Sequence, residues 1–436
     1  MSPNATSKPI CRHCQQPLNH TFVDLGMSPL CETFIPADRL DAMEPYYPLH
    51  VLICENCFLV QLREYVNPEH IFSDDYAYFS SYSTSWVAHA KTYCAMIRDR
   101  LRLGAESLVV EIACNDGYLL QHFAPLGVPV LGIEPAGTAA KLAQEKGIPV
   151  HVGFFGTKLA RELACEGRRA DLVVGNNVLA HVPDINDFVA GIQGLLKPEG
   201  VATLEFPHLE RLIAENQFDT IYHEHYSYLS ATFVERIARM HGLRLIDVET
   251  LSTHGGSLRV YLAPLASSHP TSPRVRALLE QEDRLGFRSL KGYRSFAEQV
   301  KRTKRELLSF LIAAKNEGKR ICGYGAPGKG NTLLNYCGIG TDFLDFTVDR
   351  NPYKHGRYTP GMHIPIRPVE EISVARPDYI LILPWNLKNE IVEQMGYVGE
   401  WGAKFVVPIP TVAIIDPHAK TGRAQVDERT LAPSVL

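Results

Sequence analysis

One stretch, residues 108–117, constrains the fold more than any other part of the sequence. It reads Leu-Val-Val-Glu-Ile-Ala-Cys-Asn-Asp-Gly, a short apolar run followed by a polar turn that ends in glycine. The run is too short and too apolar for a surface helix, which predicts a buried strand. Asn115, Asp116 and Gly117 tolerate the left-handed backbone that such a turn needs. The stretch therefore predicts a strand that leads into a ligand-binding loop.

The segments that follow extend this strand into an α/β pattern. Residues 118–123 have a helical pattern, and residues 130–134 form a second apolar strand that ends in Glu134. In nucleoside-binding α/β sheets, an acid at this position accepts hydrogen bonds from ribose hydroxyls. Helices and strands then alternate up to a closing hairpin, which predicts a mostly parallel, doubly wound sheet. The further predicted helices are 138–146 and 158–165, and the further strands are 149–152, 171–175, 201–206, 244–249 and 257–262.

The charge beside the first loop indicates which nucleoside cofactor the sheet binds. A dinucleotide needs several glycines around its pyrophosphate, but this loop has one glycine and contains or adjoins Glu111 and Asp116. Negative charge repels a pyrophosphate, whereas it suits the ammonium and sulfonium of S-adenosylmethionine. An ordinary βαβ unit with a charged rim is the alternative. The candidate cofactor ligands are Glu111, Ala113, Asn115, Gly117 and Glu134, together with Asn177 after the fourth strand.

Length and charge limit the class of protein. The chain has 436 residues and a formal net charge of -4, with charges of both signs scattered along it. This length allows two or three cores, and no basic surface for nucleic acid is indicated. No apolar stretch reaches membrane-spanning length, and residues 1–9 lack the apolar core of a signal peptide. We expect a cytoplasmic protein that acts on a small molecule, without an indicated membrane or protein partner.

Two close cysteine pairs predict a metal site. Cys11 and Cys14, and later Cys54 and Cys57, form a C-x-x-C, long gap, C-x-x-C pattern. Two such knuckles can place four thiolates tetrahedrally around one zinc ion. The gap is longer than in a compact zinc ribbon, so Cys31 and His13 are alternative ligands, and redox pairs are an alternative function. A bound metal would allow so small a segment to fold.

A second strand, glycine loop and helix occur at residues 320–330. Gly323, Gly325 and Gly328 match the dinucleotide spacing, but Gly330 stands where a P-loop needs a magnesium-binding hydroxyl. We therefore do not expect nucleotide hydrolysis. Backbone amides at the helix start could hold the diphosphate of a substrate's nucleotide. The candidate substrate ligands are Tyr324, Gly328, Lys329 and Asn331.

The predicted domain organisation has three parts. A zinc-binding domain covers residues 1–75, a methyltransferase domain that binds S-adenosylmethionine covers 76–265, and a Rossmann-like substrate-nucleotide domain covers 280–416. A linker rich in proline, serine and alanine is expected at 263–273, and a long helix at 285–315.

Residues 218–228, Phe-Asp-Thr-Ile-Tyr-His-Glu-His-Tyr-Ser-Tyr, have a density of titratable side chains that a core would not accept without partners. The segment is the candidate reaction site. His223 and His225 could instead bind a metal, or the cluster could be a chance feature of the surface. Tyr222 and His225 share a face if the segment is helical; if it is extended, Glu224 lies with Tyr222.

Several motifs together resemble the three-domain, S-adenosylmethionine-dependent sugar C-methyltransferases of antibiotic deoxysugar pathways. They are the paired C-x-x-C segments, E-I-A-C-N-D-G, N-N-V-L-A-H-V, D-T-I-Y-H-E-H-Y-S-Y, T-H-G-G-S-L-R and G-Y-G-A-P-G-K-G-N-T. The resemblance covers nearly the whole chain and is nearest to the 3-C-methylating branch of the tetronitrose pathway. It implies a dTDP-linked 3-amino-4-keto-6-deoxy sugar as substrate, whereas relatives methylate C-3 or C-5 of other dTDP-4-keto sugars. The pair Ala113-Cys114 departs from the expected glycine and small polar residue.

The resemblance also implies roles for individual residues. The four paired cysteines bind zinc, and the reaction site is lined by Tyr76, His181, Tyr222, Glu224 and His225. Since a carbon beside a ketone must lose a proton before it attacks a methyl group, we assign His225 as the base and Tyr222 as the rival base or donor. Glu224 would orient or tune His225, while His181 and Tyr76 would position the substrate or polarise its carbonyl.

Two other classes of protein are compatible with parts of the sequence. A zinc module fused to a methyltransferase also describes some RNA-modifying enzymes, but the absence of a basic face argues against that function. A noncatalytic nucleotide-binding scaffold is the second alternative.

Overall fold

The computed structural model describes residues 8–67 and 79–418. The chain divides into two compact units. The first comprises the chain through Thr21, Leu52–Glu210 and Glu224–Tyr293, and the second comprises Phe22–Val51, Arg211–His223 and the chain from Arg294 onward. The predicted boundaries at residues 75 and 265 stay predictions.

Strands and helices alternate through most of the described chain. The strands are β1 (His20–Ser28), β2 (Ile35–Pro36), β3 (Tyr47–Ile53), β4 (Val60–Leu62), β5 (Val109–Ile112), β6 (Val130–Glu134), β7 (Val150–Val152), β8 (Ala170–Asn176), β9 (Leu196–Pro207), β10 (Ser227–Tyr228), β11 (Leu243–Leu251), β12 (Ser257–Pro264), β13 (Ile321–Tyr324), β14 (Thr347–Val348), β15 (Arg357–Tyr358), β16 (Ile366–Arg367), β17 (Tyr379–Ile382), β18 (Lys404–Val407) and β19 (Ala413–Ile415). The α-helices are α1 (Thr84–Leu101), α2 (Gly137–Glu145), α3 (Thr157–Cys165), α4 (Ile185–Leu195), α5 (Leu209–Ala214), α6 (Ala231–Met240), α7 (Pro273–Arg284), α8 (Phe296–Asn316), α9 (Gly328–Cys337), α10 (Glu371–Ala375) and α11 (Lys388–Gln394).

The first unit is built on a seven-stranded sheet in the order β11-β12-β9-β8-β5-β6-β7. Strands β5 to β9 pair in parallel, and β12 is antiparallel to both β9 and β11. All four residues of β5 are buried, because helices cover both faces of a parallel sheet. The predicted doubly wound sheet with a closing hairpin is confirmed. In the same unit β4 pairs antiparallel with β10.

The second unit contains a six-stranded sheet in the order β16-β14-β13-β17-β18-β19. It is parallel except at its edge, where β19 runs antiparallel to β18. Helix α9 follows β13 through the glycine loop and leads to β14, so the predicted Rossmann-like α/β fold is confirmed. The unit also holds residues 22–28 of β1 and 47–51 of β3, strands that are neighbours in one sheet, and the antiparallel pair β2 and β15.

Two sequence-based helices were wrong. The helix predicted at 285–315 begins too early: α7 ends at Arg284, a turn and a 3-10 segment at Leu290–Tyr293 follow, and α8 covers Phe296–Asn316. Between residues 118 and 123 the chain forms 3-10 turns at Leu120–His122 instead of an α-helix. The expected linker is shorter than 263–273, because β12 ends at Pro264 and α7 begins at Pro273. Across residues 8–67 and 79–418, no helix combines the length and the apolarity that crossing a membrane would require.

Candidate active site

The four paired cysteines lie on two short loops of the first unit. In each loop the amide of the residue after the second cysteine donates to the carbonyl of the first cysteine, Gln15 to Cys11 and Phe58 to Cys54. Both donors have a left-handed backbone, with φ of 59° for Gln15 and 62° for Phe58. These loops turn all four thiols inward.

The geometry of the cluster fits a tetrahedral zinc site. The Sγ atoms of Cys11 and Cys57 are 3.5 Å apart, as are those of Cys14 and Cys54, and all four ligand atoms lie within 4.8 Å of one another. Four sulfurs at zinc-bonding distance are about 3.8 Å apart in a tetrahedron. Gln61 donates to the Sγ of Cys11 at 3.1 Å, a supporting contact that the sequence did not indicate. When bound, zinc would crosslink the two loops.

The two alternative ligands are not part of this cluster. The Nδ1 of His13 is 2.8 Å from the Oδ1 of Asn186, and its ring packs edge-on against Phe233. Cys31 belongs to the second unit, where its carbonyl accepts a hydrogen bond from the side chain of Asn331.

The loop after β5 is strained where the sequence lacks the expected glycine. Ala113, Asn115 and Gly117 all have positive φ, at 57°, 49° and 76°. A Cβ atom at Gly117 would lie 2.4 Å from the Cδ1 of Ile148, so this position requires glycine. The chain therefore turns sharply at the carboxyl end of β5, where open α/β sheets bind ligands.

Two buried carboxylates lie at this edge of the sheet. Burial raises the pKa of Glu111, and Glu134 and Asp116 raise it further. Asp116 has a cationic neighbour, because the Nζ of Lys146 is 3.6 Å from its Oδ2. Within the part of the chain that the structure describes, Glu111 and Glu134 form no ion pair. A ligand with an ammonium and a sulfonium would supply the missing positive charge, so the site fits S-adenosylmethionine.

Glu134 also holds the loop in place. Its Oε2 accepts from the amide of Asn115 and its Oε1 from the amide of Ala136, both at 2.9 Å. Each carboxylate oxygen keeps a further lone pair for a ribose hydroxyl.

We expect Glu134→Ala to weaken binding of S-adenosylmethionine by about tenfold to a few hundredfold. The change removes hydrogen bonds to a charged acceptor, each worth roughly 1.5–3 kcal/mol, and loosens the loop at Asn115. Titration calorimetry measures the affinity. Glu134→Gln keeps one acceptor oxygen, so its affinity for S-adenosylmethionine should lie between those of the wild type and the alanine variant. An unchanged affinity in the alanine variant would place the ribose elsewhere.

Two predicted reaction-site histidines come together in the first unit although they are far apart in sequence. His181 lies in a 3-10 turn, Leu179–His181, soon after β8, and the amide of Tyr226 donates to the carbonyl of Ala180 at 2.8 Å. The imidazole rings of His181 and His225 are 4.6 Å apart, edge to face. His225 and its neighbour Glu224 are both buried. Their catalytic roles stay predictions.

Burial lowers the pKa of His181 to about 4, so its imidazole is neutral near pH 7. The unfolded chain binds a proton on this side chain near pH 6.5, whereas the folded chain binds it only near pH 4. This histidine's contribution to stability is therefore complete above pH 6.5 and decreases as the pH falls towards 4.

We expect His181→Gln to remove part of this acid sensitivity. The wild type should lose about 2 kcal/mol more unfolding free energy than the variant between pH 7 and pH 4, after allowance for solvent at the partly exposed ring. Urea unfolding at several pH values measures how the unfolding free energy of each protein changes with pH. Equal losses in the two proteins would show that His181 titrates normally.

The remaining reaction-site residues are placed as follows. Tyr76 lies outside the described residues. The chain is a 3-10 turn at Phe218–Thr220 and a turn at residues 223–224, so Tyr222 and His225 flank a bend instead of lying on a helix or strand. In the second unit, burial lowers the pKa of His223 to about 4, and its ring is 5.8 Å from that of Tyr47.

The metal alternative for His223 and His225 gains no support. Among residues 8–67 and 79–418, the paired cysteines are the only group of three or more potential ligands arranged to hold an ion.

The glycines of the loop after β13 are explained by packing inside the second unit. A Cβ atom at Gly325 would lie 2.6 Å from Pro384, and one at Gly330 would lie 2.9 Å from the Cβ of Leu383. Tyr324, at the end of β13, is buried, and burial raises its pKa. These glycines are therefore needed for close packing of α9 on the sheet as well as for the turn.

Two of the predicted nucleotide ligands already have partners inside the second unit. The Nζ of Lys329 is 3.0 Å from the Oδ1 of Asn386 and lies over the ring of Trp385. Asn331 is buried and donates to the carbonyl of Cys31 at 2.6 Å. Their contact with a substrate stays a prediction.

Asp219 is a buried acid that the sequence analysis did not single out, although it lies near the start of the candidate reaction-site segment, residues 218–228. Its Oδ2 accepts from the Nε1 of Trp385 at 2.7 Å. Burial raises its pKa to about 6, while the nearby ammonium of Lys329 opposes the rise. This carboxylate ties the start of the 218–228 segment to the turn that follows β17.

Comparisons with known proteins cover nearly all of the chain. Three family models match it: "Putative zinc binding domain" at residues 11–72, "Methyltransferase domain" at 86–248 and "C-methyltransferase C-terminal domain" at 252–410. C-methyltransferase NovU of Streptomyces niveus is 35% identical over 409 residues, which cover 94% of this chain and 97% of NovU.

Other known proteins match a smaller part of the chain. Ubiquinone biosynthesis O-methyltransferase of Bartonella tribocorum is 33% identical over 100 residues, 22% of this chain and 40% of that protein. The crystal structure of magnesium protoporphyrin IX methyltransferase from Synechocystis PCC 6803 with bound SAH is 18% identical and covers 41% of this chain and 84% of that one, with a TM-score of 0.32.

The full-length identity to NovU and the three matching domains agree with the zinc-ligand geometry and with the acidic loop at the sheet edge. The chain therefore belongs to the C-methyltransferase family and is an S-adenosylmethionine-dependent C-methyltransferase with a zinc-binding module.

Proposed function

We propose that this enzyme methylates a carbon of a dTDP-linked 4-keto-6-deoxy sugar, and that the acceptor is C-3 of a 3-amino-4-keto sugar. The observation that carries the proposal is the close approach of His181 and His225 next to the sheet edge that holds the acidic loop. Two neighbouring imidazoles beside the candidate methyl-donor site, that of His225 being buried, suit a substrate whose carbon must first lose a proton. The motif resemblance to sugar C-methyltransferases supplies the class of substrate.

The energetics of proton removal explain the residue types. A carbon beside a ketone is less acidic than a histidine by about 12 pK units, so deprotonation is uphill by roughly 16 kcal/mol in water. A base alone does not overcome this barrier. Hydrogen-bond donors must stabilise negative charge as it develops on the ketone oxygen, and neutral side chains in a dry site can provide them. The neutral imidazole of His181 meets this requirement.

In the proposed reaction, His225 accepts the proton from the carbon beside the ketone. The electron pair of the broken C–H bond passes to the ketone oxygen as an enolate, which Tyr222 or His181 stabilises by donating a hydrogen bond. The same pair then forms the new carbon–carbon bond as the methyl leaves sulfur, and S-adenosylhomocysteine is released. The sulfonium of S-adenosylmethionine supplies an activated methyl group, so the protein has to align it with the carbon nucleophile. Glu224 would orient His225.

The fold of the second unit supports a nucleotide-linked substrate. Strand β13, the glycine loop and α9 lead to Asp349, directly after β14, which is where a nucleoside-binding sheet places its ribose acceptor. The Oδ2 of Asp349 accepts from the amide of Ala326 at 2.7 Å. The amide of Gly328 at the start of α9 donates to the carboxylate of Glu32. This end of the helix is therefore able to bind an anion, and a diphosphate would compete with Glu32 for it.

Product analysis with a set of dTDP-4-keto-6-deoxy sugars tests the proposal. With S-adenosylmethionine and the 3-amino-4-keto sugar, we expect a product heavier by one methylene unit, and NMR should place the new methyl on C-3. The matched control is the same sugar with its C-4 ketone reduced to an alcohol, which should not react, because its C–H bond is not acidified.

Other outcomes would select the alternatives. Methylation at C-5 would retain the chemistry and change the acceptor carbon. Methylation of RNA without any response to TDP would indicate an RNA-modifying enzyme. Binding of S-adenosylmethionine and TDP without turnover of any substrate would indicate a scaffold.

A further inference from the structure

The motif T-H-G-G-S-L-R, residues 253–259, has no role in the reaction described so far. It connects β11 to β12, and Ser257 at the start of β12 pairs with Pro207 at the end of β9. Since β12 is antiparallel to both neighbours, the turn lies at the edge of the sheet where β8 and β9 end. That edge also carries the candidate cofactor ligands of the first unit.

His254, in this turn, has a backbone conformation that a histidine rarely adopts. Its φ is 52° and its ψ is 21°, and the two glycines that follow also have positive φ. The left-handed region costs a residue other than glycine about 1–2 kcal/mol. Glycine would occupy this position without strain, so the imidazole must compensate for the cost through its contacts.

The imidazole of His254 contacts one of the candidate cofactor ligands. Its Nε2 is 3.0 Å from the Nδ2 of Asn177, and its ring lies edge-on against Trp86 at 4.9 Å. An amide nitrogen can only donate, so Nε2 of His254 accepts and the ring is neutral with its proton on Nδ1. This contact fixes which end of the Asn177 amide faces His254.

The other end of the Asn177 amide is a buried acceptor. Within residues 8–67 and 79–418 its Oδ1 has no hydrogen-bond partner. Asn177 itself has a φ of 53°, and its backbone amide donates to the carbonyl of Glu205 at 2.7 Å. A buried acceptor without a partner costs about 1–3 kcal/mol, which a donor on a bound ligand would recover.

Glu205 anchors the turn that carries His254 through hydrogen bonds. The Oγ1 of Thr253 donates to Oε1 of Glu205 at 2.8 Å, and the Nη2 of Arg259 donates to Oε2 at 2.7 Å. The Nε2 of His89 is 3.0 Å from the same Oε2. The first and last residues of the motif thus bind one buried carboxylate, which leaves the imidazole of His254 little freedom to move.

We propose that His254 is a positioning residue for the cofactor, holding the Asn177 amide so that its oxygen accepts a hydrogen bond from an N–H or O–H donor of S-adenosylmethionine. The inference rests on the proposed role of Asn177 in cofactor binding. On this inference, the function of the T-H-G-G-S-L-R motif is to orient the side-chain amide of Asn177.

Three variants of His254 test the inference, with S-adenosylmethionine and S-adenosylhomocysteine as titrants in calorimetry. His254→Phe keeps the ring against Trp86 but removes the acceptor, and we expect about tenfold weaker binding of both titrants. His254→Gln can accept the same hydrogen bond and should restore affinity to within about threefold of wild type. His254→Gly should keep or raise the melting temperature, because it relieves the left-handed strain, yet it should bind as weakly as His254→Phe.

A double-mutant cycle with Asn177→Ala separates this inference from the function on which it depends. We expect Asn177→Ala to weaken binding and His254→Phe to have no further effect in that background. If Asn177→Ala binds both titrants like the wild type, the cofactor role of Asn177 is wrong and the inference fails with it. If Asn177→Ala weakens binding while His254→Phe does not, or if the two effects add, the inference alone is overturned.

Discussion

Replacing Cys54 with serine is expected to release zinc and to destabilise the first unit by several kcal/mol. Four thiolates converge within 4.8 Å, and a serine hydroxyl does not replace a thiolate ligand at neutral pH. Binding of structural zinc contributes about 10–16 kcal/mol in small zinc peptides, so the loss of one ligand removes a large part of the stabilisation. Metal analysis of the purified variant and its thermal unfolding measure the two effects.

Cys165→Ser is the matched control for this experiment. Cys165 is an exposed cysteine at the end of α3 and lies outside the cluster, so its variant should keep one zinc per chain and the wild-type melting temperature. Full zinc retention in the Cys54 variant would show that this residue is not a ligand. Zinc loss from both variants would point to an effect of handling instead of coordination.

The parts of the fold that the sequence predicts correctly are those specified by local chemistry. The run at residues 108–112 has no polar alternation, and Asn115 and Gly117 can adopt positive φ, so strand and loop followed from the residues themselves. The cysteine spacing likewise fixes two turns, because each pair closes a short hydrogen-bonded loop. The conformation of Ala113 could not be predicted in this way, because alanine does not favour a positive φ and its φ of 57° is imposed by the surrounding structure.

The late start of α8 shows why the helical pattern alone was insufficient. The prediction began the helix at residue 285, whereas α7 ends at Arg284 and the next helix, α8, begins only at Phe296. The interruption comes from Gly286 and Gly292, which pack so closely that a Cβ atom at Gly292 would lie 2.7 Å from the carbonyl oxygen of Leu285. The two glycines were visible in the sequence, but their contact was not.

Most of the candidate site depends on contacts between distant residues. The sequence selected His181 and His225 separately, but nothing local indicated that their rings lie 4.6 Å apart. In the same way, the partners of Glu205 come from α1, from the turn before β12 and from β12 itself. Such pairs follow from the strand order of the sheet, which the sequence defines only in outline.

His225→Asn is expected to lower turnover at least a hundredfold with little change in cofactor affinity. Asparagine keeps a polar side chain but has no nitrogen that accepts a proton, and general-base catalysis contributes about a hundredfold or more. Steady-state kinetics and calorimetry with S-adenosylmethionine measure the two quantities. His269→Asn is the matched control, because His269 lies in the loop after β12 and bonds to the carbonyl of Glu199. That variant should retain full turnover.

The competing base, Tyr222, is distinguished from His225 by measuring proton removal without methyl transfer. Tyrosine has a reference pKa near 10, so it would need a large downward shift or would act through a small ionised fraction, whereas an ordinary histidine is largely neutral at pH 7. Deuterium exchange at the acidic carbon of the substrate, in the presence of S-adenosylhomocysteine, reports this step alone. We expect exchange to stop in His225→Asn and to slow moderately in Tyr222→Phe, because the phenol then only assists the enolate. If the His225 variant exchanges at the wild-type rate and the Tyr222 variant does not, the tyrosine is the base.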